Sequence, residues 1–453
     1  MQTERRIVIV GGGVSGVLVA AHVARHPSPT PRHVSLVDRR AAVGSGTAFG
    51  TRRPCHLLNV PAARMSAFAD EPEHFLHWAR IVDPSIGPDT FAMRSLYGDY
   101  LRDVLHDARF ADTPTELELV TGEVAAIDPN DEQARVRFAD GGKLAADAVV
   151  LALGNASPAE PRVNGAPLSR STRYVRDPWR PGALDGIGEH DPVLLVGTGL
   201  TAVDVVLALV SRGHRADLRC VSRHGLVPMA HAPYAPAPEL RFDAVRSAPS
   251  ATAHLHALRA EVRRAAALGI DWRAVVDGLR PHTQQLWAGL PIAERRRFLR
   301  HAARYWEVHR HRMAPPVART IGKLVAEGRV TVERGRLVEY DETADRVVVR
   351  VRDRGEAREV PAAYVVNCTG PRPDIVNAGD PVVDALLDRG AVRAGPLGLG
   401  LDCDAAGALI DASGRVSERM WTLGSLRRGA LWETTAVGEI RAQAAALADS
   451  LLG

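Results

Sequence analysis

The sequence predicts an α/β fold of two Rossmann-type dinucleotide-binding domains, each with an inserted antiparallel β-meander and the second with a helical insertion. Three observations predict it. A strand–glycine–helix fingerprint stands near Gly11, a second stands near Gly197, and far downstream of each a further strand ends in glycine, at Gly154 and at Gly370. One plan repeated within one chain argues for two domains of one type.

In the first copy, the apolar run Ile7-Val8-Ile9-Val10 fits a parallel strand buried on both faces. Gly11-Gly12-Gly13-Val14-Ser15-Gly16 follows and opens the helix-competent run Val17 to Arg25. In this pattern Gly11 permits the tight turn, Gly13 lets a pyrophosphate approach the backbone and Gly16 lets helix pack on strand. Ser15 lies in the first turn, where the helix N-terminus receives phosphates. The next strand, Val34-Ser35-Leu36-Val37, ends in Asp38, at the offset where an acid binds ribose hydroxyls. An acid favours an unphosphorylated ribose, so this site suits FAD. Arg39 and Arg40 read as a solvated loop.

The second copy places Pro192-Val193-Leu194-Leu195-Val196 before Gly197-Thr198-Gly199-Leu200-Thr201-Ala202, with alanine at the third glycine position. Gly197, Gly199, Leu200 and Thr201 are its expected phosphate-site residues. Its second strand, Leu218 to Ser222, ends in Arg223-His224 and not in an acid. An acid there would repel a 2′-phosphate, whereas Ser222 and Arg223 can hydrogen-bond one, the arginine in a bidentate, charge-assisted way. This site therefore suits NADPH.

After the first fingerprint come candidate strands Leu119 to Val124, Ala134 to Phe138 and Ala148 to Leu153, with Asp140-Gly141-Gly142 as a turn. After the second come Val330 to Glu333, Arg346 to Val351 and Tyr364 to Cys368. Pro158, Pro161, Pro167, Pro178 and Pro181 mark a crossing into the second domain, and Pro371 and Pro373 mark the return. The expected organisation is a discontinuous FAD domain over 1–160 and 371–453, and an NADPH domain over 161–370. A helical, arginine-rich insertion covers about 250–327, with Pro281, Pro291, Pro315 and Pro316 at helix boundaries.

Near the C-terminus, Leu423-Gly424-Ser425 and Gly429 to Thr435 precede an alanine-rich helix from Ala436 to Leu452, for which Thr434 or Thr435 is the expected N-cap. A helix N-terminus at the flavin pyrimidine edge would stabilise negative charge developing there. Gly424, Thr434 and Thr435 thus join Gly154 and Gly370 among the expected cofactor-binding residues.

Composition narrows the classes. Hydrophobic residues at 46% and charged residues at 24% are those of a soluble globular protein. The net charge is +4, but arginines are dispersed and aromatics reach only 5%, which argues against a nucleic-acid surface. The first strand begins within a few residues of the N-terminus and no apolar run approaches spanning length, so the expectation is a cytoplasmic protein without signal peptide or membrane segment. Cys55, Cys220, Cys368 and Cys403 form no Cys-x-x-Cys pair, which argues against a disulfide reductase of the usual flavoprotein kind. No metal site is expected; His309-Arg310-His311 reads as surface.

Taken together, the chain resembles the bacterial FAD/NAD(P)-binding oxidoreductases with two Rossmann-type domains, relatives of flavin-containing and N-hydroxylating (class B) monooxygenases. Beyond the fingerprints, the resemblance is carried by His56-Leu57-Leu58-Asn59-Val60-Pro61 through Met65-Ser66, by Leu96 to Leu101, by Ser222 to Leu226, by His309 to Pro315 and by Leu426 to Thr435. It implies an NADPH-dependent FAD monooxygenase passing one oxygen atom from O2 to a small polar substrate, for example in N-hydroxylation. A reductase or dehydrogenase with an organic or protein acceptor, or a non-catalytic flavin redox sensor, stays open because fold does not fix function.

In the monooxygenase relatives an asparagine in the segment corresponding to Asn59 lies by the reactive edge of the flavin. The resemblance thus implies Asn59 as the catalytic hydrogen-bonding group; by itself it is equally a turn residue before Pro61. Arg64, Arg94, Trp432 and Glu433 are the candidate substrate-side residues, with Arg427 and Arg428 beside them. The relatives' glycine–histidine–tryptophan signature between the nucleotide motifs reads Tyr174-Val175-Arg176-Asp177-Pro178-Trp179 here. The tryptophan is kept and the histidine is not, which argues against carbonyl insertion and typical flavin-containing monooxygenase activity.

Overall fold

The computed structural model describes residues 4–40, 43–130, 132–161, 163–164 and 168–453. Pro167 of the expected crossing lies outside them. Contacts divide the chain into two units: Met1–Pro54, Val60–Ala156 and Arg372–Gly453 make the first, and Cys55–Asn59 with Ser157–Pro371 make the second. The short excursion Cys55–Asn59 has no counterpart in the sequence-based boundaries. It is tied into the second unit by His56, whose Nε2 bonds the Asp204 carbonyl at 3.1 Å, and by the Asn59 carbonyl, which accepts from His231.

In the first unit, strand Arg5–Val10 pairs in parallel with Arg32–Asp38 on one side and Ala148–Leu151 on the other. Thr115–Thr121 and Val416–Thr422 extend the sheet outward, and the short strand Ala408–Ile410 closes it antiparallel to Val416–Thr422. Ile7, Val8, Ile9 and Val10 are at most 5% exposed, as a strand covered on both faces requires. Helix Val14–Arg25 is apolar nearly all round because it lies between the sheet and other helices, among them Val437–Leu452. Arg32 is fully buried at the sheet's lower end. Its guanidinium donates to Thr115 Oγ1 and to the carbonyls of His26 and Ser28, so the buried charge is fully hydrogen-bonded.

A separate three-stranded antiparallel sheet, Val124–Asp128, Ala134–Phe138 and Lys143–Ala146, is inserted into this unit. Where one strand from Leu119 to Val124 was expected, two strands meet at a bend. Gly122 donates to the Asp38 carbonyl at 3.0 Å and lies so close to the Phe138 ring that a side chain there would strike it at 2.7 Å. The chain therefore leaves the parallel sheet at Gly122 and enters the antiparallel one.

The second unit repeats the plan. Its sheet is wholly parallel in the order Val330–Arg334, Leu218–Ser222, Val193–Val196, Tyr364–Asn367, Tyr174–Val175. A three-stranded antiparallel sheet, Arg336–Glu342, Val347–Asp353 and Glu356–Ala362, packs Tyr340, Val347, Val349, Val351 and Val360 toward Leu194 and Val365. The two outer strands of that insert escape sequence reading because their exposed charges, as in Glu356-Ala357-Arg358-Glu359, mask the apolar alternation. Helices occupy much of 243–326, and Pro315 stands at the first position of helix Pro315–Ala326, where its missing N–H costs no hydrogen bond.

Candidate active site

The first fingerprint forms a cradle at the carboxyl end of strand Arg5–Val10. Gly11 has φ +113°, and a side chain there would run into the Ala152 carbonyl of the strand alongside. Its N–H bonds Val37 O and the Ala152 N–H bonds Val10 O, both at 2.8 Å, so the turn is stitched to both neighbouring strands. A side chain at Gly16 would collide with Gly11 O, which makes glycine obligatory for the helix to pack. Gly13 differs: among the described residues a Cβ there would meet only Gly46 Cα, at 3.7 Å. That open face lies at the N-cap of helix Val14–Arg25, which has no side-chain cap, so the first-turn N–H groups are presented to an anion. These residues fit a dinucleotide pyrophosphate.

Asp38 is buried. Its Oδ2 accepts the Gly12 N–H at 2.8 Å, and its Oδ1 accepts the Arg40 N–H at 2.8 Å and the Arg40 guanidinium at 3.3 Å. Arg40 is therefore tied to the acid and is not simply a solvated loop residue. The carboxylate is oriented by the fingerprint backbone, as a ribose-binding acid must be.

Several expected cofactor residues converge beside this cradle. Nothing lies within 4 Å of where a Gly154 side chain would stand, and the Gly154 carbonyl accepts from Ser425 Oγ. A Gly424 side chain would come 3.0 Å from Ser15 Oγ. Thr434 Oγ1 donates to the Gly424 carbonyl at 2.6 Å, while Gln443 accepts the Gly424 N–H and donates to Thr434 Oγ1, each at 3.1 Å. The expected threonine N-cap is thereby corrected. The helix is Val437–Leu452, its N-cap is Ala436 with no side-chain bond, Thr434 has its hydroxyl on Gly424, and Thr435 is exposed. Gln443 was hidden in sequence because it sits in the middle of an alanine-rich helix with no motif around it.

In the second unit the same positions recur. Gly197 has φ +123° and abuts the Cys368 carbonyl; its N–H bonds Val221 O, and the Cys368 N–H bonds Val196 O, both at 2.8 Å. Gly199 is the N-cap of helix Leu200–Val210, with Thr201 in its first turn. Gly370, like Gly154, has open space where a side chain would be. The chemistry at the second strand is what differs. Ser222 replaces the acid, and its Oγ accepts the Gly225 N–H at 3.1 Å and pairs with Thr198 Oγ1 at 2.8 Å, shaping the turn that presents Arg223.

Arg223 is exposed and does not stand alone. His224 is held below the ordinary imidazole range, first by burial and then by the field of Arg223, Arg334, Arg304 and Arg336. Arg334 pairs with Asp353 at 3.1 Å and Arg304 with Glu307 at 3.0 Å; Arg223 and Arg336 have no acidic partner among the described residues. Strand register explains the grouping, since Arg334 is aligned with Ser222 across the parallel pair. Arg334 and Arg336 were not legible as site residues because more than a hundred positions separate them from the fingerprint.

Asn59 lies in the second unit, half-buried, with its carbonyl accepting from His231 Nε2–H at 3.0 Å. Burial, and then the charge of Arg312, push the His231 imidazole down to about 4, so it is neutral at physiological pH. Fully buried Arg312 and the Tyr234 hydroxyl both bond Asp277, which is held below the usual carboxylate range by those bonds against the cost of burial. Trp179 packs edge-on against the ring of His56, at 5.7 Å between centroids.

The substrate-side candidates all belong to the first unit. Arg64 is exposed at the end of the 3-10 turn Ala62–Arg64, and Arg94 opens helix Arg94–Phe110. Trp432 and Glu433 are buried, and the Arg428 guanidinium lies 5.3 Å from the Trp432 ring centre. Arg427 is also buried and donates to the carbonyls of Asp404 and Ala405, so it braces a loop. His309 is partly exposed, with its Nδ1–H bonding Tyr305 O and its ring packed on Trp272. Among the described residues no group of three or more His, Cys, Asp or Glu is placed to hold a metal, and no helix is long and apolar enough to cross a membrane.

Residues 8–156 match the model of an FAD-NAD(P)-binding family. Over 277 residues the chain is 28% identical to an L-aspartate N-monooxygenase (nitrosuccinate-forming) of Streptomyces davaonensis, a match covering 51% of this chain and 42% of that protein. It is 27% identical over 241 residues to a nitrosuccinic acid synthase of Aspergillus oryzae, covering 47% of this chain and 36% of the relative. The matched stretches thus span less than half the length of either curated relative. Among solved structures, the ornithine N-hydroxylase of Kutzneria sp. 744 superimposes with a TM-score of 0.67 over 99% of both chains at 16% identity. That likeness is one of fold.

Proposed function

We propose that this chain, an FAD-NAD(P)-binding protein over residues 8–156 with the fold of an ornithine N-hydroxylase, is an NADPH-dependent FAD monooxygenase. It transfers one oxygen atom from O2 to the amino group of a small polar substrate. The observation that carries this reading is the pair of matching cradles with opposite chemistry: a buried acid, Asp38, in one, and in the other a group of arginines at the same strand end, of which Arg223 and Arg336 have no acidic partner among the described residues. The first suits the unphosphorylated ribose of FAD and the second the 2′-phosphate of NADPH. The names of the two curated relatives, an L-aspartate N-monooxygenase and a nitrosuccinic acid synthase, favour an acidic amino acid as substrate.

Bound flavin would supply hydride acceptance and oxygen activation; the chain supplies position and electrostatics. Gly13 and the helix behind it bind the first pyrophosphate, Asp38 fixes the ribose, and Ser15, Gly154 and Gly424 shape the same cradle. The uncapped N-terminus of helix Val437–Leu452 offers its positive end to negative charge. Asn59, held through its carbonyl by His231, is kept as the candidate hydrogen-bonding group that the resemblance implies, and within the first unit Arg64 and Arg94 would offer charge-assisted bonds to a substrate carboxylate. A cytoplasmic enzyme with a small-molecule substrate and O2 follows from this reading.

The test is a panel of amino acids added to the FAD-loaded protein with NADPH in air. An acidic amino acid should speed NADPH oxidation and yield an N-oxidised product, with little peroxide. NADPH consumption that ends entirely in peroxide, or in reduction of an added quinone or disulfide, would instead mark a reductase.

A further inference from the structure

The second cradle has a feature the first lacks. In the first, the open face of Gly13 is bounded, among the described residues, only by the backbone of Gly46. In the second, a side chain on Gly199 would come within 2.9 Å of Arg304 Nη2 and 3.7 Å of its Cζ and Nη1. The guanidinium thus lies across the glycine whose missing side chain admits a pyrophosphate.

Arg304 belongs to the first turn of helix Ala303–Arg310, more than a hundred residues from the fingerprint. The same turn leans over the rest of the cradle: the ring of Tyr305 lies 5.8 Å from that of His224, and the charge of Arg304 reaches His224. Arg304 is held by Glu307, one turn on, in a pair whose side chains are both about a third exposed. Such helix-surface pairs are weak. A pyrophosphate carries more charge and offers two oxygens to the guanidinium fork, so it is the stronger partner.

We infer that Arg304 is the pyrophosphate-binding residue of the second cradle and that Glu307 is the anion it exchanges for the nucleotide. The inference rests on the nucleotide reading of the second fingerprint proposed above. It divides recognition in two. Arg304 reads the diphosphate common to NADPH and NADH, and Arg223 with Arg336 reads the 2′-phosphate that only NADPH carries.

The test is equilibrium titration of the full-length, FAD-loaded protein, whose first cradle is filled, with ADP, 2′-AMP and NADP⁺. Arg304→Ala should weaken ADP and NADP⁺ by about tenfold or more and leave 2′-AMP unchanged, since each lost charge-assisted bond acts only on the diphosphate. Arg304→Lys should recover part of the loss, and Glu307→Gln should tighten ADP severalfold by removing the competing anion. Arg223→Ala should show the converse pattern, weakening 2′-AMP and sparing ADP. Unchanged melting of each variant without nucleotide confirms that folding is intact. Wild-type affinity of Arg304→Ala for ADP, or equal loss of ADP and 2′-AMP, would overturn the assignment and leave the nucleotide site standing. A wild-type protein that binds none of the three probes would overturn the nucleotide reading itself, and this inference with it.

Discussion

In the proposed reading single residues decide which nucleotide each cradle accepts, and the same residues give the sharpest tests. Arg223 lacks an acidic partner among the described residues and follows directly on Ser222, which stands where the first unit has Asp38. Losing its bond to a 2′-phosphate should cost roughly 1.5–3 kcal/mol. Arg223→Ala should therefore raise the KM for NADPH by about tenfold or more and leave NADH nearly unchanged; equal effects on both would contradict the assignment. The glycines of the first fingerprint separate binding from folding. Gly13 has room for a side chain, so Gly13→Val should fold, melt normally without flavin and be isolated nearly colourless. Gly11→Ala, with positive φ and a carbonyl in the way, should lose stability outright. A yellow Gly13→Val protein with full flavin would show that FAD lies elsewhere.

At the scale of elements, the fingerprint strands were legible because each is a short apolar run ending in glycine, as in Ile7 to Gly11 and Val193 to Gly197. The parallel strands Thr115–Thr121, Tyr174–Val175 and Val416–Thr422 were not, because polar residues break up their apolar pattern or, in Tyr174–Val175, only two residues make the strand. The antiparallel inserts were legible only in part: Ala134–Phe138 has a clear alternation, whereas Arg336–Glu342 and Glu356–Ala362 expose charges that hide it. Contacts that close the sites were not legible, because Gln443, His231 and Arg304 act through tertiary neighbours and carry no local pattern. Gln443 joins the Gly424 turn to helix Val437–Leu452, so Gln443→Ala should lower stability by about 1–2 kcal/mol and weaken flavin retention. Flavin release on dilution checks this, and wild-type retention would remove Gln443 from the site. His231 joins the segment 55–59 to the second unit. Its folded pKa of about 4 lies below an ordinary value near 6.5, so the unfolded chain binds the extra proton between them. Its contribution is therefore complete above about pH 6.5 and is lost as pH falls toward 4, by at most about 3 kcal/mol. Melting temperature should drop across that window more steeply in the wild type than in His231→Gln; parallel profiles would refute the linkage.

At the scale of the whole molecule, the chain is one nucleotide-binding plan used twice and tuned in opposite directions. Gly11 against Ala152 is repeated by Gly197 against Cys368, and open Gly154 by open Gly370, whereas Asp38 gives way to Ser222 and its ring of arginines. In the proposed function electrons enter from NADPH and leave through FAD, and the central claim is that they leave to oxygen and an amine. The most direct measurement is to reduce the FAD-loaded protein anaerobically with NADPH and mix it with ¹⁸O2 and an acidic amino acid. Product mass and flavin absorbance are then followed together. The account predicts an N-oxidised product carrying one ¹⁸O per NADPH and a transient absorbance unlike oxidised or reduced flavin, shortened in Asn59→Ala. Direct return to oxidised flavin, with all of the label in peroxide and none in any amine, would contradict it.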